Sequence, residues 1–77
     1  MSRKLPRITA TDLLRALQRD GWQEKRHRGS HAILYHTTKP GRLVVPVHLR
    51  QTLGTGLLNS ILRDAGLTVE DFRRLLQ

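Results

Sequence analysis

Trp22-Gln23-Glu24-Lys25-Arg26-His27-Arg28-Gly29-Ser30-His31-Ala32-Ile33-Leu34-Tyr35 is the stretch whose reading decides the fold. From Trp22 to Arg28 the chain is polar and cationic, from Ala32 to Tyr35 it is apolar, and Gly29-Ser30 between them has turn composition. Two such runs about a tight turn predict an antiparallel strand pair. Lys39-Pro40-Gly41 marks a second turn, and Leu43-Val44-Val45-Pro46-Val47 follows as a β-branched third strand. Pro46 has no N–H to give to a ladder, so it belongs at an edge or at the strand's end.

Helical patterns flank this sheet. Thr9 and Asp12 have capping-box spacing ahead of Leu13, Leu14 and Leu17, which predicts a helix over about Ala10 to Asp20, with Gly21 at a left-handed C-cap. Leu57, Leu58, Ile61, Leu62 and Ala65 form one apolar face of a second main helix that Gly66 ends. Thr68 and Asp71 repeat the capping-box spacing and open a short last helix carrying Phe72, Leu75 and Leu76. The expected fold is α+β, in the order α-β-β-β-α plus a short C-terminal helix. A three-stranded antiparallel sheet has its helices on one face. Leu13, Leu14, Leu17, Leu58, Ile61 and Leu62 are core, and Trp22, directly after a helix end, plugs it.

Composition bounds the function. Seventy-seven residues make a single domain (1–77), with a basic, Pro6-containing arm over residues 1–8. The formal charge of +8 comes from 14 Lys and Arg against 6 Asp and Glu, and eleven of the cations are Arg. A guanidinium fork matches phosphate oxygens in pairs and stacks on bases, so the bias points to nucleic acid. No cysteine is present, which excludes disulfide staples and Cys-based zinc sites. No apolar run is long enough to span a bilayer, and the start has no signal-peptide core, so a soluble cytoplasmic protein without membrane association is expected.

The chemistry concentrates in Lys25-Arg26-His27-Arg28-Gly29-Ser30-His31. Cleaving an RNA phosphodiester needs a base for the 2′-hydroxyl proton, an acid for the leaving oxygen and positive charge at phosphorus. One His among Arg side chains can supply most of that. Read without any relative, however, a His beside a strand turn is more often structural or merely exposed. Lys25, Arg26 and Arg28 are more simply phosphate contacts or a solvated strand face. Strand alternation places His31 with Ile33 and Tyr35, opposite Ala32 and Leu34, and both sets are apolar. Either the strand is buried on both faces, or His31 lies at a rim where the sheet meets the first helix.

Gly21-Trp22, Arg28-Gly29-Ser30-His31, Val45-Pro46-Val47-His48, and Gly56 leading into Ile61-Leu62-Arg63-Asp64-Ala65-Gly66-Leu67 occur in that order, from about Thr9 to Leu76. Together they resemble the successive motifs of the HicA toxin family. The resemblance implies a double-stranded-RNA-binding-domain-like fold, cleavage of messenger RNA that halts translation, and a HicB-type antitoxin partner that covers the active site. It implies His31 as the catalytic residue, with Gly29 and Ser30 as its motif neighbours. Where relatives open the second main helix with Gly-Thr-Leu, this chain has Gly56-Leu57-Leu58, so its helix start depends more on Thr55 or Gly54.

Among the other histidines, His48 is the candidate second acid or base, with loop capping as the competing role. His27 is not brought to His31 by a strand-turn-strand path, and His36 has no supporting partner in sequence. No acidic residue lies between Lys25 and His36, so no metal and no other cofactor is expected. Tyr35 could stack on a base if its face is open. The competing functions are a non-catalytic RNA-binding module using the basic strands, and a DNA-binding regulator. The second lacks a helix-turn-helix pattern or a basic helical stripe. A small-molecule enzyme is disfavoured by size.

Overall fold

The computed structural model describes residues 7–47 and 52–77. Its elements are α1 (Ala10–Asp20), β1 (Trp22–Arg28), β2 (His31–His36), β3 (Arg42–Pro46), α2 (Thr55–Asp64) and α3 (Val69–Leu76). This is the expected α+β order with an open, three-stranded antiparallel sheet, β2 in the middle.

The caps explain where the helices begin. The Asp12 N–H donates to Thr9 Oγ1 at 3.2 Å while the Thr9 N–H reaches Asp12 Oδ2 at 3.3 Å. Thr68 and Asp71 repeat the exchange at 3.0 and 3.1 Å. Hydrogen bonds from Thr68 and from Arg74 hold the Asp71 carboxyl below the usual carboxylate range. Between them α2 starts at Gly54 with no side-chain cap bond. Its hold comes instead from burying Leu58, Ile61 and Leu62. At about 1.5–3 kcal/mol for each fully buried aliphatic side chain, that outweighs the few tenths of a kcal/mol, roughly, by which a Gly N-cap falls short of a side-chain cap.

The core lies between the helices and one face of the sheet. Trp22, Ala32, Leu34, Leu43 and Val45 meet Leu13, Leu17, Leu58, Ile61, Leu62 and Phe72 there. Leu14 is only partly buried against this cluster. Ile8, which the sequence places in the basic arm, is buried, and its carbonyl accepts the Leu53 N–H at 2.7 Å. Residues 1–6 of that arm lie outside the described residues. Pro46 ends the edge strand β3, where a missing N–H costs no ladder bond.

The tightest junction joins α1 to the far end of β2. Gly21 turns the chain with φ 110°, and a Cβ built on it would lie 2.7 Å from His36 Nε2. The His36 ring is held at both nitrogens. Nδ1 accepts the backbone N–H groups of Thr38 and Lys39 at 3.0 and 3.1 Å, so the ring hydrogen is on Nε2, which donates to the Asp20 carbonyl at 2.6 Å. The ring also meets Trp22 edge-on, with centroids 5.2 Å apart. Lys39 completes the knot, with Nζ 2.7 Å from Asp20 Oδ2 and 2.8 Å from the Ala65 carbonyl, the latter at the C-terminus of α2.

Two substitutions test this junction, with Trp22, the single tryptophan, reporting urea unfolding by its fluorescence. Gly21→Ala combines a left-handed φ, about 1–2 kcal/mol for a side-chain-bearing residue, with displacement of the clamped ring, so a loss above about 2 kcal/mol is expected. Gly29→Ala, at φ 57° with open space around it, should show the φ cost alone. His36→Ala should cost about 2–4 kcal/mol, from unpaired backbone groups and an uncovered Trp22 edge. Wild-type midpoints in Gly21→Ala and His36→Ala would show that the junction does not hold the fold.

Candidate nucleic-acid interface

The face of the sheet turned away from the helices is built by the register of three strands. Arg28, His31 and Pro46 stand side by side across it, then Arg26, Ile33 and Val44, then Gln23, Tyr35 and Arg42. Successive rows are about 6.5–7 Å apart, two residues along a strand. The face carries three Arg side chains and no carboxylate among the described residues.

A β-bulge puts two of those cations there. The β1–β2 register shifts between Glu24 and Arg26, leaving Lys25 as the extra residue. Simple alternation from the inward-facing Trp22 would turn Arg26 and Arg28 toward the helices. With one residue added, both emerge beside Ile33 and His31 instead. His27 goes the other way and lies 3.7 Å from Glu24, an exposed pair that leaves it apart from the open face.

Gly29 and Ser30 form the two-residue connection between β1 and β2. A positive φ at Gly29, with none at Ser30, is the signature of a type II′ hairpin turn. The Ser30 carbonyl accepts the Val47 N–H at 2.6 Å, so the turn is fastened to the chain leaving β3. His31 begins β2 immediately after the turn, exposed, its side chain making no hydrogen bond to any described residue. The sequence allowed a strand buried on both faces or a His31 rim against α1. The structure gives a third arrangement, in which Ala32 and Leu34 are fully buried against the helices and His31 faces open solvent. Ile33, beside it, is reduced to 9% exposure by its neighbours in the open face.

One hairpin thus carries Arg26, Arg28 and His31 on the open face with Gly29 and Ser30 at its turn, while Lys25 is the unpaired bulge residue of β1. His48 lies outside the described residues. His36, given no partner by the sequence, is the clamp of the α1–β2 junction; only its distant contacts with Asp20 and Trp22 reveal that. Tyr35 and Val44 stand on the open face at 42% and 46% exposure. Chemically, an exposed imidazole next to a guanidinium on a rigid strand end can exchange a proton while the neighbouring charge holds an anion.

A cleft of about 360 Å³ exists elsewhere, between α1, the β2–β3 turn, α2 and α3. Its charged side chains are already matched, Lys39 with Asp20 and Arg74 with Asp71, each at 2.7 Å. Its lining has no hydroxyl side chain and no histidine, and its carboxylates and Lys39 are engaged with one another or with Arg74, so the hairpin face is the better candidate. Among the described residues no three His, Asp or Glu side chains converge as metal ligands. No described helix is long and apolar enough to cross a membrane.

Comparison with known proteins bears on the family of the chain. A family model described as the HicA toxin of bacterial toxin–antitoxin systems matches residues 10–67. A search of curated proteins finds no match. The family match runs from the first residue of α1, through the Arg-flanked hairpin bearing His31, to the segment just beyond α2, and the chain belongs to the HicA family of toxins.

Proposed function

We propose that this toxin is a metal-independent endoribonuclease that cleaves messenger RNA in the cytoplasm and so halts translation. The observation that carries the reading is His31, exposed on the open sheet face directly across from Arg28. His31 accepts the proton of a ribose 2′-hydroxyl, the 2′-oxygen attacks phosphorus, and the 5′-oxygen of the next nucleotide leaves with a proton. Arg28 and Arg26 stabilise the charge on the non-bridging oxygens, and Lys25, Gly29 and Ser30 hold the adjacent backbone. His48, which follows Val47 in the chain, is the candidate for the second proton transfer. The absence of a carboxylate from the described face favours chemistry run by imidazole and guanidinium rather than by a bound divalent ion. A HicB-type antitoxin covering the same face is the partner this reading requires.

The test is incubation of purified protein with a long single-stranded RNA, with and without EDTA, beside His31→Ala. A positioned acid or base contributes about 10²–10⁴-fold, and His31→Ala should lose cleavage by that factor while keeping its fold and its RNA affinity. Cleavage by the parent protein should survive EDTA. Arg28→Gln should weaken RNA binding as well, and reduce the salt slope of affinity by about 0.7, one phosphate contact on a single strand. Tight, salt-sensitive binding without any product, on free or translated RNA, would leave a non-catalytic RNA-binding module instead.

A further inference from the structure

Among the described residues of the open face, Tyr35 is the one Phe, Tyr or Trp, and the fold makes no use of its ring. Tyr35 stands two rows from His31, about 13 Å along the strand. It is flanked across the strands by Gln23 and Arg42. Its ring makes no aromatic contact and its hydroxyl no hydrogen bond among the described residues. A large ring at 42% exposure gains little from the core, and Val44 beside the same strip is equally open. The result is a short apolar ledge on a rigid strand, bordered by the guanidinium groups of Arg26 and Arg42 and, among the described residues, by no carboxylate.

We propose that Tyr35 is a base-stacking platform for a nucleotide other than the one at which His31 acts, with Arg42 holding the phosphate beside it. This rests on the reading of the face as an RNA-binding surface and adds a subsite to it. Charge sets the choice of partner, since an apolar ledge whose charged neighbours among the described residues are all cations suits bases joined by phosphates better than a neutral protein patch. Geometry sets the strand state. A flat ring can meet the face of a base only where that base is unstacked, as in single-stranded RNA, and not within a duplex. Stacking is tolerant of base identity, so the subsite adds affinity and fixes the register of the strand over His31 more than it selects a sequence.

The experiment measures affinity for a short single-stranded RNA and for a matching oligonucleotide with abasic sites, in the His31→Ala background so that RNA is not consumed. Adding Tyr35→Ala should weaken binding of the intact RNA by about 5- to 100-fold, with the abasic RNA unaffected. Tyr35→Phe should stay within about 2-fold of the parent, since the ring is retained. The salt slope should be unchanged by Tyr35→Ala and reduced by about 0.7 in Arg42→Gln. Circular dichroism on each variant confirms the fold, and Tyr35→Leu, which keeps apolar bulk without a ring, guards against a purely structural effect.

Equal affinities for Tyr35→Ala and its parent, equal losses on intact and abasic RNA, or a Tyr35→Leu variant as good as Tyr35→Phe would each overturn the proposal. So would unchanged RNA affinity with a weakened antitoxin complex, which would assign the ring to the protein partner. The protein with His31 intact is scored for cleavage on the same RNA. Binding without cleavage removes the nuclease reading and leaves Tyr35 to be judged on the affinities, whereas no binding at all removes both.

Discussion

The hydrogen bond from His36 Nε2 to the Asp20 carbonyl is the contact through which the two halves of the fold are held in register. It ties the last residue of α1 to the last residue of β2, at the point where Gly21 reverses the chain and Trp22 enters the core. A chain of this size has little stability to spare, and single interactions of a few kcal/mol are a large share of the total. Trp22 contributes the largest buried side chain, but burial alone is non-directional and would tolerate a helix rotated over the sheet. The directional contacts of His36 and the bridge from Lys39 to both helix ends remove that freedom.

With the helices fixed to one face, the other is left open among the described residues, and the bulge at Lys25 decides what that face contains. β1 must satisfy two demands that strict alternation sets against each other, Trp22 inward at one end and Arg26 and Arg28 outward at the other. One extra residue meets both, at the cost of a locally broken ladder on an edge strand. The same shift turns His27 away from the open face, where it pairs loosely with Glu24. His31 is thereby left as the histidine that the described open face presents.

The sequence carried the element boundaries well, because they are set by local chemistry. Thr9 with Asp12, Thr68 with Asp71, Gly21 and the Gly29-Ser30 turn each act within a few residues, and each is found where its spacing places it. What the sequence did not carry depends on contacts between distant residues. Whether Ile33 or Leu34 faced the helices could not be read from a strand apolar on both sides, and the answer came from pairing with β1 and β3. The bulge has no local signature, as Lys25 is one cation among several. The role of His36 depends on Asp20, sixteen residues earlier, and on a β2–β3 turn that brings Thr38 and Lys39 back to the ring. The resemblance to HicA toxins supplied His31, and the register supplied its surroundings.

A site on a flat sheet face has a physical consequence for how it could work. Its described residues form no enclosure, so the contribution open to them is fixed charge and fixed geometry. Both favour a strand over a loop, since the imidazole begins β2 and the guanidinium groups stand on its hydrogen-bonded neighbours. Such a face suits a long polyanion, which many separated contacts can hold at once, better than a small molecule that needs a concave wall. It also makes control simple. A protein laid over the face need not reach into a cavity; covering the row of Arg28 and His31 with an acidic or apolar surface would remove the proposed landing place of the substrate and the proposed proton-transfer group together. The open side of the sheet is therefore both where the chemistry is proposed and where an antitoxin partner would be most effective, and the two occupants would compete for the same few square nanometres.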